Sequence, residues 1–192
     1  MAEFCKECFI KHLYPSEDEI KRIVVSDDLD LCEGCGEYKK VVTQIREKQV
    51  LECSTRGDRR FSAFGARITI KGKTDCIENF YQNAKRTENG EIAGKGKPFH
   101  HFICPFCGLE FPGEEVSDLY KGLWIIYFNK HPELLEYAAK FDGFNDIFRG
   151  KSINCQADVV AAMVKDKDGF IKAVKNGHWY KTMTNYLLRK NN

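Results

Sequence analysis

The sequence contains no apolar run approaching the roughly 20 residues of a membrane-spanning helix. It also lacks an excess of either charge. The formal net charge is +2 at pH 7, so nucleic-acid binding would have to come from a local basic patch. Proline- and serine-rich tracts are missing, which argues against long disordered segments. No internal repeat exists beyond recurring cysteine pairs. The start, "MAEFCKEC", is acidic and cysteine-bearing and does not read as a secretory signal. These absences predict a soluble cytoplasmic protein without a membrane contact. Its 43% hydrophobic and 30% charged residues suit an ordinary globular chain.

Cysteine is what the sequence does have. There are nine, an odd count, mostly in C-x-x-C pairs. That is unlike a secreted disulfide framework, and in a reducing compartment such pairs bind metal. Cys5-x-x-Cys8 and Cys32-x-x-Cys35 are separated by 23 residues, close to a recurrent four-cysteine zinc spacing. Gly34 and Gly36 flank the second pair as "CEGCG", where glycine lets the backbone turn tightly and aim N–H groups at sulfur. Four thiolates match tetrahedral zinc. Residues 1–45 therefore read as a zinc-binding knuckle module, ribbon or treble-clef-like, used for protein contact or as a structural cap. So small a module draws much of its folding energy from the metal. Its loop "YPSEDEIKRIVVSDDLD" is mainly acidic, which argues against gripping phosphates.

Residues 48–192 predict a mainly helical α+β domain with a few short strands, so the fold class of the whole is α+β. "QVLECS" and "ARITIK" alternate as strands, the second with Ile68 and Ile70 on one face. "KTDCIENFYQNAKRTENG" predicts a helix capped by Thr74 or Asp75, with Ile77, Phe80, Tyr81 and Ala84 as its apolar stripe. Glu78, Gln82 and Lys85 lie on a second face of that helix. Val116, Leu119, Tyr120, Leu123, Trp124 and Tyr127 predict an amphipathic helix, and Pro132 opens the next one. Asn154 predicts an N-cap for a buried helix through Val159, Val160 and Met163. From Asp168 onward two helices follow, divided at Gly177, with Trp179 packed inward. The same tail is basic and aromatic, which also suits a nucleic-acid-facing edge.

The Arg59-Arg60-Phe61-Ser62 loop precedes the Glu78 helix. Carboxylate, amide and cations in one place suit a ribose-phosphate ligand, the carboxylate for sugar hydroxyls and the cations for phosphate. Arg149 and Lys151 stand beside the expected helix start at Asn154, where backbone N–H groups favour an anion. Asp158 sits in that first turn, favoured there by the helix dipole.

Three pieces, "GDRRFSAF", "CIENFYQNAKR" and "FRGKSINCQADVV", resemble in order and spacing the motifs of the NADAR superfamily. The most specific part is the Glu-x-x-Tyr-Gln-x-x-Lys helix. The third piece also resembles the end of a small phage-associated domain, and "FCKECFIKHL" and "DLCEGCGEYK" resemble small phage and prophage proteins that bind zinc. The NADAR resemblance implies hydrolysis of an N-glycosidic bond to a ribose phosphate, ADP-ribose or modified nucleobase. It would make Glu78 the acid/base or water-activating carboxylate and Asp158 a second one. Arg60 and Lys85 would be substrate contacts, with Gln82 a polar orienter; Arg59, Ser62, Arg149, Lys151 and Asn154, read from the loop and the helix start, are the other binding candidates. The phage resemblance implies a host-cytoplasm protein. A different reading is a zinc-bearing module that sequesters a nucleotide or host protein, as an accessory or counter-defence factor, without turnover.

The insertion "KPFHHFICPFCGLEFP", residues 97–112, holds a third pair, Cys104 and Cys107. Its local candidate partner is His100, with His101 cramped beside Cys104 and Cys53 and Cys76 more distant. One reading is a second zinc bound by Cys104, Cys107 and His100. The other is a tight hairpin with free thiols.

Overall fold

The computed structural model of the chain describes residues 3–147 and 154–190. It divides into two compact units, Met1–Gln49 and Val50–Asn192. The architecture is α+β, with eight helices and eleven short strands among the described residues. No described helix is long and apolar enough to cross a membrane.

The first unit opens with α1 (Lys6–Leu13), whose chain reverses at Tyr14 in a left-handed conformation. The acidic stretch expected as a loop instead forms α2 (Glu17–Ile20) and β1 (Ile23–Val25). Its acids explain the helix. Ser16 accepts from the Glu19 N–H while the Glu19 carboxylate accepts from the Ser16 N–H, a reciprocal cap that satisfies two orphan donors. Strands β2 (Asp30–Leu31) and β3 (Tyr38–Lys39) form a hairpin around Cys32 and Cys35. β4 (Val42–Ile45) returns antiparallel to β1 across a bulge at Val24 and Val25.

The second unit begins with β5 (Val50–Glu52). A 3₁₀ turn over Arg59–Phe61 follows, capped by Asp58. β6 (Arg67–Ile70) and β7 (Lys73–Cys76) make a hairpin whose two turn residues, Lys71 and Gly72, both have positive φ. That is the turn whose twist matches antiparallel strands. α3 (Ile77–Ala84) buries Ile77, Phe80, Tyr81 and Ala84, the stripe read from the sequence. Each large apolar side chain of this kind contributes about 1.5–3 kcal/mol when fully buried. The cap of α3 is Cys76 and not Thr74 or Asp75. Both of those lie in β7, and Asp75 accepts from the Cys76 N–H and the Asn79 amide.

Lys85 is not helical: the chain straightens there into β8 (Lys85–Arg86). β8 pairs with β9 (His101–Ile103), which pairs with β10 (Glu110–Pro112). α4 (Val116–Lys130) then runs against α3, β6 and three of the helices that follow it. The sequence predicts one apolar face for α4, yet Ile125 and Phe128 are buried along with the six expected residues, because neighbours surround the helix. Gly122 makes one of those contacts. A Cβ there would lie 2.6 Å from the Trp179 ring, so only glycine admits the indole.

Pro132 opens α5 (Pro132–Ala138) at its first position. β11 (Gly143–Asn145), which no sequence pattern signalled, pairs parallel with β5. α6 (Gln156–Lys165) is capped by Cys155 and not by Asn154, whose amide donates to the Tyr81 hydroxyl at 2.9 Å. α7 (Lys167–Asn176) and α8 (His178–Lys190) meet at Gly177, with Trp179 only 1% exposed.

Candidate functional site

Two places in the molecule gather chemistry-bearing side chains, one in each unit. In the first unit Cys5, Cys8, Cys32 and Cys35 bring their sulfur atoms within 4.8 Å of one another. Tetrahedral zinc with bonds of about 2.3 Å needs sulfurs roughly 3.8 Å apart, so the cluster fits such an ion with small adjustment. α1 contributes the first pair, since Cys5 is its cap and Cys8 lies within its first turn. The β2–β3 hairpin contributes the second. Gly34 makes room, because a Cβ there would meet the Cys8 side chain at 2.7 Å.

The electrostatics favour a cation. The Cys5 N–H donates to the Cys32 sulfur at 3.2 Å, and chiefly through that bond the Cys32 thiol is drawn down to about 6. Burial, with the neighbouring thiols of Cys5, Cys32 and Cys35, pushes the Cys8 thiol up to about 12. Thiolates crowded this closely repel one another unless a positive ion offsets them. The four cysteines can therefore hold one metal ion.

His100 does not join Cys104 and Cys107. The Cys5, Cys8, Cys32 and Cys35 group is the only cluster of metal-ligating side chains among the described residues. His100 is exposed, and its backbone is tied to Arg86 by its N–H and to Gly113 by its carbonyl. Cys104 and Cys107 are buried in the hydrophobic core, and Cys53 and Cys76 are buried too.

The second place is a pocket of about 550 Å³ in the larger unit. Glu78, Tyr81, Gln82 and Lys85 line one side of it, Asn154 and Gln156 another. Four of the residues expected from the sequence thus meet: Glu78, Gln82, Lys85 and Asn154. The "FSAFGA" segment holds α3 in place, because the Ala63 and Ala66 carbonyls accept from the Glu78 and Ile77 N–H groups. The Ala63 N–H in turn donates to the buried Gln156 amide oxygen at 2.7 Å. The Gln82 amide donates to the Glu78 carboxylate at 2.8 Å, which fixes the carboxylate's direction. The other end of that amide, Oε1, is buried without a hydrogen-bond partner among the described residues.

Lys85 is 6% exposed, and its Nζ lies 4.5 Å from the centre of the Tyr81 ring and 5.2 Å from that of Phe99. Burial holds its pKa below the ordinary lysine value, with Glu78 acting in the opposite direction. Tyr120 packs edge-on to Tyr81 at 5.0 Å, and burial raises the pKa of both hydroxyls.

Other expected residues do not reach this pocket. Arg59 is exposed and is not part of the lining. Arg60 donates to the Asp58 carboxylate, Nη2 to Oδ2 at 2.6 Å, and its guanidinium lies over the Tyr137 ring. Ser62 is fully buried and ties the turn together, its carbonyl accepting from Gly65 and Ala66. Asp158 is exposed on α6, outside the lining. Arg149 and Lys151 lie outside the described residues.

The pocket also contains residues that the sequence did not suggest. Asp146, 5% exposed, supplies a second carboxylate, with the Cys155 thiol 3.8 Å from its Oδ2. Phe64 and the segment from Lys95 to Phe99 complete the wall. "GKGKP" did carry turn signals. Asp146, in contrast, is one acid among many until β11 places it. The sequence matches no protein-family model and no curated protein.

Proposed function

We propose that the chain is a NADAR-like N-glycoside hydrolase acting on a ribose-phosphate, ADP-ribose or modified nucleobase substrate. The observation that carries this reading is that Glu78, Gln82 and Lys85 open into a single pocket with a second carboxylate, Asp146. The volume suits a nucleotide-sized ligand. Phe64, Tyr81 and Phe99 offer ring faces for a base, and Lys85 offers a cation for phosphate.

The chemistry follows from the donors present. As the C1′–N bond breaks, positive charge builds at the sugar C1′. A fixed carboxylate stabilises that charge while water adds to C1′ and a proton passes to the departing nitrogen. Glu78 is the group for this task, held in direction by Gln82. Asp146 takes the second-carboxylate role that the sequence had suggested for Asp158.

Ribose release from nucleotide substrates tests the reading. Glu78→Gln keeps the shape and removes the charge, and turnover falls at least about a hundredfold, as for loss of a positioned acid or base. Asp158→Asn leaves turnover unchanged. Equal rates for wild type and Glu78→Gln overturn the mechanism. Bound but intact ligand, read by mass spectrometry, makes the protein a nucleotide-sequestering module instead.

For the first unit the proposal is one structural zinc ion held by Cys5, Cys8, Cys32 and Cys35 in a knuckle. A metal assay on the purified chain returns close to one zinc per chain. Cys8→Ser with Cys35→Ser returns none.

A further inference from the structure

We infer that the arch of residues 94–99 is a phosphate-binding wall of the pocket, and that the ligand it receives carries two phosphates in sequence. This inference rests on the nucleotide reading above. The arch leaves and returns to the same short strand. The Ala93 N–H donates to the Lys85 carbonyl at 3.1 Å, and the His100 N–H donates to the Arg86 carbonyl at 2.9 Å. β8 is the continuation of α3, so the arch is anchored to the element that carries Glu78 and Gln82. Gly94 and Gly96 both take left-handed conformations, with φ of 72° and 75°, which glycine adopts without strain. The chain therefore turns sharply on either side of Lys95.

Both ends of the arch contact other pocket walls. Lys95 places its Nζ 4.9 Å from the Phe64 ring centre, and the Phe99 ring lies 5.2 Å from Lys85 Nζ. Lys95, Gly96, Lys97 and Pro98 all line the cavity. The lining carries three lysines against two carboxylates, Glu78 and Asp146.

The Lys85 ammonium has no hydrogen bond or salt bridge among the described residues. Its neighbours are the two rings and, at longer range, Glu78. A cation buried to that degree is costly unless an anion meets it. One phosphate answers Lys85. Lys95, which lies over a different ring, Phe64, and Lys97 form a second cationic element of the lining. Both elements line one cavity, so a second phosphate in sequence gives the ligand a second cationic partner there.

Calorimetric titration of the full chain with AMP, ADP, inorganic phosphate and inorganic pyrophosphate tests this inference. ADP binds about tenfold or more tightly than AMP, the gain expected of one added hydrogen bond to a charged group. Pyrophosphate likewise exceeds phosphate. Lys97 is exposed, so Lys97→Gln leaves the fold intact. The variant removes the preference for ADP over AMP. Equal affinities for ADP and AMP, a preference that survives Lys97→Gln, or no binding of any of the four overturns the inference.

Two other outcomes separate it from the reading beneath it. A pyrophosphate preference that depends on Lys97, without nucleotide binding, upholds the wall and refutes the nucleotide ligand. An intact ADP preference without ribose release upholds the wall and refutes hydrolysis.

Discussion

The hairpin of β2 and β3 and the hairpin of β9 and β10 close in the same way. In the first, the Cys32 N–H donates to the Glu37 carbonyl and the Gly36 N–H to the Cys32 carbonyl. In the second, the Cys104 N–H donates to the Leu109 carbonyl and the Gly108 N–H to the Cys104 carbonyl. Both glycines are left-handed, at φ 73° and 81°. Yet the thiols differ. Cys32 is drawn down to about 6, chiefly by the Cys5 N–H. Burial pushes Cys104 up to about 11, although the Cys107 and Phe106 N–H groups pull the other way. The backbone turn is shared, and what packs on it decides the chemistry. A second cysteine pair on α1 gives the first hairpin four clustered thiols that can hold a metal ion. Phe102, Phe111 and the surrounding core turn the second into a hydrophobic wedge.

The largest expected effect is on the first hairpin. Its unit has few deeply buried apolar side chains: beyond Cys5 and Cys32, Val41 is the one buried hydrophobic residue among those described there. Removing metal with a strong chelator therefore unfolds the first unit and leaves the second folded. Amide spectra recorded before and after chelation show dispersion lost for residues 3–49 and kept beyond residue 50. Because protons compete with metal for thiolate, the same loss appears as pH falls and reverses as it rises. A chelated chain whose first unit stays folded would place both hairpins in the same class.

Next in size is the second hairpin's core. Phe102 is fully buried and stacks on Phe111 with ring centres 5.5 Å apart. Phe102→Ala costs about 3–5 kcal/mol, the usual range for deleting a buried ring, as read by denaturant unfolding of the second unit. Zinc content stays at one per chain.

Cys104→Ser has a smaller effect, about 1 kcal/mol, because the new hydroxyl can keep the N–H bonds that the sulfur accepts. It too leaves the metal content alone, whereas Cys32→Ser abolishes it. Loss of zinc in Cys104→Ser would show that the two hairpins are alike after all.

The contrast explains what the sequence could and could not reveal. "CEGCG" and "CPFCG" both announce a knuckle, since a glycine after the second cysteine is a local requirement. Whether further ligands arrive is a tertiary matter. Cys5 and Cys8 sit more than twenty residues upstream of Cys32, and only the folded chain shows that they arrive while His100 does not.

The α3 face was legible because its apolar residues recur at helical spacing. Its polar side carries Glu78 and Gln82, and both line the pocket. The sequence places Lys85 on that same helical face, whereas it lines the cavity from a strand. Arg60 read as a phosphate contact by proximity in sequence, but Asp58, two residues before it, takes its guanidinium. Asp146 carried no local signature. It becomes a pocket residue only because β11 pairs with β5, more than ninety residues earlier in the chain.

The smallest expected effect tests the shared part of the two hairpins. A Cβ added at Gly36 or at Gly108 would have no atom within 4 Å, so alanine at either meets open space. What remains is the cost of a left-handed backbone for an L-residue, about 1–2 kcal/mol. Gly108→Ala therefore lowers the unfolding free energy of the second unit by about that amount. Gly36→Ala lowers zinc affinity about tenfold, the same penalty read through metal binding. Competition with a chromogenic chelator measures the second value, and denaturant unfolding the first. Equal penalties mean that the turn is one backbone device used twice. A much larger penalty at Gly36 alone would mean that the metal site constrains its hairpin beyond what the shared turn requires.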